Sequence, residues 1–330
     1  MRDHFVRTLT GAALAALFSA FASASGNGNQ AGTYPTKPVR MIIPLAPGGG
    51  SDIVGRMLAQ ALTDHWNQTV VVDNRPGAGS TVGTAIAAKA QPDGYTTLVS
   101  SSSIAISPAL YKNLSFDIKR DFRVVTLIAS QPSLLAVHSS VPAKNLKEFI
   151  ALAKSRPGKL EFGSAGPGSA THLGTELLKF TAGVDLLHVP YKSAGLATVA
   201  LLAGETQVLL TNMASLLPHI KTGRIRALGI TSTKRSPLAA EIPTIAESGL
   251  DKFEYATWYG MLVPVGTPKT VITKVQGDAA KVLNTPQVQQ RFVGQGLEVY
   301  ANTPAEFEAY LNNEIARWAK VVQAAGVRMD

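Results

Sequence analysis

The chain has 330 residues, 45% of them hydrophobic and 16% charged, with 31 Lys and Arg against 22 Asp and Glu and no cysteine. The hydrophobic fraction fills a sizeable core and excludes a disordered, solvating chain. The missing cysteine excludes disulfides, thiolate metal sites, Fe–S clusters and cysteine nucleophiles. The formal charge of +9 raises nucleic-acid binding, but the basic residues are scattered and no aromatic–basic ribbon occurs, so that class falls away.

At the N-terminus, Arg2 and Arg7 precede an apolar run over 9–21, and Ala22-Ser23-Ala24 follows as a small-x-small cleavage pattern. Residues 1–24 therefore read as a signal peptide, which marks the protein for secretion. The apolar run is shorter than the ~20 residues that a membrane span needs. No cysteine follows the cleavage pattern, so a lipoprotein anchor is excluded. Residues 25–33, SGNGNQAGT, read as a flexible lead.

Beyond 34, short apolar runs alternate with helical spacing. Strands are predicted at 39–44, 69–73, 97–100, 124–129, 134–137, 160–163, 186–189, 207–210, 226–231 and 258–263. Helices are predicted from Ile53 through Leu62, over 80–90, 144–155, 170–181, 194–203, 214–222 and 269–284. A last helix starts with Thr303 as cap, Pro304 at the first position and Glu306 completing a capping box. Alternation of this kind predicts an α/β protein with largely parallel sheets.

Three glycine-rich turns stand where strands feed helices. They are PLAPGGGSD (44–52), NRPGAGS (74–80) and GSAGPGSAT (163–171). Glycine lets a ligand reach the backbone, and a helix N-terminus presents free N–H groups and partial positive charge. Such turns suit a small carboxylate or phosphate. None has the ending of a P-loop or the third glycine of a dinucleotide fingerprint, and no cofactor is expected.

Catalytic signatures are thin. No Gly-x-Ser-x-Gly elbow occurs. His172 and Glu176 are spaced to share a helix face, but no third metal ligand is apparent, and a buried, hydrogen-bonded histidine is the simpler reading. Asp52 reads as a first-turn acid rather than a general base. Neither an enzyme nor a metal site is expected. The polar and aromatic residues Tyr191, Lys192, Trp258 and Tyr259 stand at strand ends, which often line clefts in open α/β sheets, and Trp258 reads equally well as core packing.

At these turns the chain resembles the Bug family, the periplasmic receptors of tripartite tricarboxylate transporters. The resemblance rests on an ordered series including YPTKPVRMIIPLAPGGGSD (34–52), VVVDNRPGAGSTVG (70–83), PDGYTTLVSSSS (92–103), LEFGSAGPGSATHL (160–173), HVPYKSAG (188–195), EIPTIAESGL (241–250) and WYGMLVPVGTP (258–268). It implies a two-lobed, type II-like periplasmic binding protein with two mixed sheets flanked by helices and a ligand cleft between the lobes. Lobe 1 would span 34–127 plus 256–330 and lobe 2 would span 128–255, with crossings near 124–131 and 252–258. It implies a small carboxylate held by backbone amides and waters.

The implied ligand-binding residues of lobe 1 are Ala46, Pro47, Gly48, Gly49, Gly50, Ser51 and Asp52. Those of lobe 2 are Ser164, Ala165, Gly166, Gly168, Ser169, Ala170 and Thr171. Strand ends add Ser101, Ser102, Tyr191, Lys192, Asn212 and Trp258. The implied partner is a two-component membrane permease. A sensor protein is the alternative, and the receptor is expected to act as a monomer. Leu45 stands where the family commonly has an aromatic residue, and Ser193 stands where glycine usually follows Tyr191-Lys192.

Overall fold

Strand–helix alternation sets the chain order. β1 (Val39–Ile43) leads to α1 (Gly50–Trp66), β2 (Val70–Asn74) to α2 (Thr81–Ala88), and β3 (Thr96–Ser101) to α3 (Ser103–Leu110). The single turn α4 (Ile118–Asp121) opens into the long β4 (Phe122–His138). There follow α5 (Leu146–Ser155), β5 (Glu161–Ser164), α6 (Ala170–Ala182), β6 (Leu187–Pro190), α7 (Ala194–Ala203), β7 (Val208–Asn212), α8 (Met213–Lys221) and β8 (Ile225–Ile230). The chain closes with β9 (Ala256–Pro264), α9 (Lys269–Leu283), α10 (Pro286–Gly294), β10 (Glu298–Val299) and α11 (Pro304–Ala325). This computed structural model describes residues 34–251 and 253–328; the signal peptide and lead read from the sequence lie outside the described residues.

The strands follow the path β2-β1-β3-β9-β4-β7-β5-β6, and β8 and β10 also pair with β4. β1 is parallel to β2 and β3, and β5 is parallel to β6 and β7. Every pair that includes β4 or β9 is antiparallel. The expectation of largely parallel sheets is therefore corrected to mixed ones. The helical crossovers impose parallel pairing, but β4 and β9 run between the two halves of the molecule and pair against their neighbours.

The sequence reading splits β4 at Gln131-Pro132, whereas the structure runs through it. Residues 122–132 pair with β9, and Ser133 begins the pairing with β7. Pro132 has no N–H to donate, and it stands where the ladder changes partner. The two sheets are thus joined through one strand. α3, α4, α10 and β10 are not among the predicted elements.

Strand directions position the site. β3 runs antiparallel to β9, and β9 antiparallel to β4, so β1, β2 and β3 run the same way as β4, toward the second lobe. β5, β6 and β7 run against β4, toward the first lobe. Both sets of strands therefore aim their carboxyl ends at the junction, where open α/β sheets bind ligands.

Helices cover the sheet faces. Val54, Leu58 and Leu62 of α1 share a core with Val275, Ala279 and Leu283 of α9. Across the sheet, Ile42, Leu98 and Trp258 pack with Phe307 and Leu311 of α11. Further along α11, Trp318 and Val322 join the core that holds Leu173 and Leu177 of α6. One helix therefore contributes to the cores of both lobes. Its N-terminus carries the predicted box: Thr303 accepts from the Glu306 N–H, and Glu306 accepts from the Thr303 N–H. Burying each large apolar side chain contributes roughly 1.5–3 kcal/mol.

Candidate functional site

The turn after β1 exposes Ala46, Pro47, Gly48 and Gly49, leaves Gly50 half-buried, and buries Ser51 and Asp52. Gly49 caps α1 with no side-chain hydrogen bond, so the first N–H groups of this helix lack a side-chain cap. Gly48 has φ of 81°, a conformation that glycine adopts without penalty. Asp52 is turned inward to brace the turn. Its carboxylate accepts from the Gly48 N–H at 2.9 Å, from Arg56 Nε at 3.0 Å and from Asn74 Nδ2 at 3.0 Å. Burial opposes the charge of Asp52, but the bonds from Arg56, Gly48 and Asn74 outweigh it and hold the carboxyl below its ordinary range. Asn74 also donates to the Leu45 carbonyl, which ties the first two glycine turns together.

Tyr259 of β9 lies against this turn, and a Cβ at Gly50 would run into its hydroxyl. The residue is buried, and burial raises its pKa, so it stays protonated. The sequence places Tyr259 and Trp258 together at this strand end, and the implied ligand residues include only Trp258. Successive strand residues point to opposite faces, so Trp258 enters the core beside Phe307 and Tyr310 and donates from Nε1 to Glu314 at 3.0 Å. Tyr259 faces the turn. The alternation that separates the two residues was available in the sequence.

Ser101 and Ser102 are both buried at the end of β3. Ser101 Oγ pairs with Ser103 Oγ at 2.9 Å, and Ser103 Oγ with Ser80 Oγ at 3.1 Å, so this strand end meets the second turn. The hydroxyls of Ser51 and Ser102 are buried without a hydrogen-bond partner.

The turn after β5 is braced by neutral groups. Ser164 Oγ accepts from the Gly166 N–H at 3.0 Å, and Thr171 Oγ1 accepts from the Ala165 N–H at 2.8 Å. Ser169 caps α6 by accepting from the His172 N–H, and its hydroxyl pairs with Thr171 at 3.0 Å. Ala170 is half-buried at the start of α6, and its carbonyl accepts from Tyr255 Oη at 2.6 Å. Gly166 and Gly168 have φ of 107° and 73°. Tyr191 joins this turn through its N–H, which donates to the Ser164 carbonyl at 3.0 Å. Lys192 is exposed beside it. Asn212 caps α8, accepting from the Ser215 N–H at 2.9 Å.

The two lobes approach one another over the end of α3. Tyr111 Oη donates to the Ala78 carbonyl in the second turn at 3.1 Å. A Cβ on Gly168 in the third turn would stand 3.1 Å from Leu110 Cδ1 and 3.9 Å from Tyr111 Oη. Neither residue was singled out from the sequence, because α3 carries no obvious helical pattern.

The structure also brings together a serine–histidine pair that sequence spacing could not. Ser164 Oγ lies 2.6 Å from His188 Nε2 across paired strands. Ser164 is fully buried, and among the described residues no carboxylate bonds to His188. The hydroxyl is therefore unreachable for a substrate, and the contact is a brace. Among the described residues no group of three or more His, Asp or Glu could hold a metal ion, and no helix is long and apolar enough to cross a membrane.

Comparison with known proteins gives a consistent result. The family model of the tripartite tricarboxylate transporter family receptor matches residues 54–327. Protein BugT of Bordetella pertussis is 36% identical over 301 residues, covering 91% of this chain and 92% of BugT. A Rhodopseudomonas palustris protein solved with adipate superposes with a TM-score of 0.83 at 33% identity, covering 89% of this chain and 99% of its own. MatC of the same organism, solved with bound malate, superposes with a TM-score of 0.80 at 29% identity, covering 88% and 100%.

Proposed function

Because the chain belongs to the tripartite tricarboxylate transporter receptor family, we propose that it is a periplasmic receptor that closes on a small carboxylate between its lobes and presents it to a two-component membrane permease. The supporting observation is the pair of glycine turns that face the junction from opposite lobes, one at the uncapped N-terminus of α1 and the other at the start of α6. The uncapped start of α1 offers backbone N–H groups, and both helix starts offer partial positive potential to an anion. The charged side chains of the first turn are already paired with each other. Recognition then rests on neutral donors and bridging water, which suits carboxylates of different shapes. Adipate and malate in the two similar structures fit this class.

The ligand contacts in this reading come from the two turns, with the Asp52 carboxylate and the Ser164 hydroxyl kept as braces, the Tyr259 hydroxyl added above Gly50 and Trp258 removed to the core. Closure follows if the closed form binds the anion more tightly than the open form does. A thermal-shift screen of mono-, di- and tricarboxylates, followed by calorimetry, tests the proposal. At least one small carboxylate should raise the unfolding midpoint in a concentration-dependent way. Stabilisation by none of them, or turnover of a bound one, would contradict it.

A further inference from the structure

Beneath the second-lobe turn lies a stacked imidazole pair, His172 buried and His188 half-buried. The His172 and His188 rings stack with centroids 4.0 Å apart and planes at 16°. Phe162 stacks on His188 at 4.8 Å. Each imidazole holds the turn. His172 Nδ1 accepts from the Gly168 N–H at 3.1 Å, which requires a bare nitrogen there. His188 Nε2 fixes Ser164 Oγ, and that oxygen accepts from the Gly166 N–H.

The charged surroundings are few. From α6 the pair faces Glu176 and Lys179. Glu176 Oε1 is 3.8 Å from His172 Nε2, beyond hydrogen-bond range, and takes Lys179 Nζ at 2.9 Å instead. Asp185, before β6, pairs with Lys179 at 3.9 Å. β5 presents Phe162, and the turn presents hydroxyls and amides. Burial first, then His188 and Lys179, depress the pKa of His172 from 6.5 to about 3; burial and Lys179 depress that of His188.

We infer that His172 and His188 are positioning residues, a stacked pair that holds the backbone of the 163–171 turn in its ligand-receptive form only while His172 is uncharged. This rests on the proposed role of that turn in anion capture. A proton on Nδ1 would point an N–H at the Gly168 N–H and leave the turn without its acceptor. The consequence runs against simple charge attraction. A cation near an anion site should strengthen binding, whereas here it releases the turn.

The test uses nuclear magnetic resonance and adipate calorimetry on the mature chain and two variants. His172→Phe keeps the ring stack and removes the acceptor. His172→Asn supplies an acceptor near the Nδ1 position and cannot titrate. At pH 7, His172→Phe should unfold cooperatively, exchange its Gly168 amide about tenfold faster and bind adipate about tenfold more weakly. His172→Asn should restore both. In the unliganded wild type, the Gly168 amide signal should stay flat from pH 8 to about 5 and then move with the His172 ring signal; in His172→Asn that inflection should vanish. Unchanged Gly168 exchange in His172→Phe, or an acid inflection that survives in His172→Asn, overturns the inference. Failure of the wild type to bind adipate would count against the proposed ligand alone, because the amide signals are read without it.

Discussion

The two turns that face the junction have the same glycine-rich composition but are braced by opposite chemistry. The 44–52 turn is anchored by an ionised carboxylate, Asp52, tied to Arg56, Asn74 and the Gly48 N–H. The 163–171 turn is anchored by hydroxyls and two uncharged imidazoles. Similar sequence patterns can thus present backbone donors through unrelated supports, and the supports determine what each turn tolerates.

The largest expected effect lies at Gly49. Its φ is −83°, and an added Cβ would meet only the Ala46 carbonyl, at 3.7 Å. Gly49→Asp should therefore fold normally while placing a like charge at the proposed anion site. Calorimetry should record at least a ~100-fold loss of carboxylate affinity, since like charges juxtaposed in an interface cost several kcal/mol. Retained affinity would remove this turn from the site.

Next comes Asp52→Asn, which leaves Arg56 and the Gly48 N–H without their anionic acceptor. About 2 kcal/mol of stability should be lost, read as a lower urea midpoint. The second-lobe counterpart is Gly168→Ala. The φ of 73° strains any Cβ, and Leu110 crowds it at 3.1 Å. A loss of about 1–2 kcal/mol is expected, with weaker ligand binding. Equal tolerance of alanine at Gly49 and Gly168 would erase the contrast between the turns.

Acid should separate them as well. The folded-state pKa of His172 lies below its ordinary 6.5, so the unfolded chain binds more protons between pH 6.5 and about 3, and stability falls as pH drops through that window. The pKa of Asp52 is also lowered, but from 3.8, so its contribution is intact above that value and is lost only below it. Between pH 6 and 4, amide protection in 163–171, taken relative to the intrinsic exchange rate at each pH, should fall while protection in 44–52 holds. The smallest effect is expected for Tyr259→Phe, about a fivefold loss of affinity at unchanged stability, because its hydroxyl is predicted to meet the ligand rather than the protein.

What the sequence made legible was local. Glycine runs marked the turns because backbone access is written in composition. Thr303, Pro304 and Glu306 marked the start of α11 because capping chemistry lies within one helical turn. What it concealed was non-local. The contact of Ser164 with His188 depends on the register of β5 with β6, which places Phe162 opposite His188. β4 looked like two strands because Pro132 reads as an interruption until a change of pairing partner is visible. Trp258 and Tyr259 stand side by side at a strand start, and strand alternation sends the first to the core and the second to the turn.

Capture between the lobes is tested most directly by small-angle scattering of the mature chain, titrated with whichever carboxylate raises its unfolding midpoint. The radius of gyration should fall on saturation, and Gly49→Asp should show no change at the same concentration. A wild-type radius that stays constant while calorimetry reports full occupancy would contradict closure around the ligand.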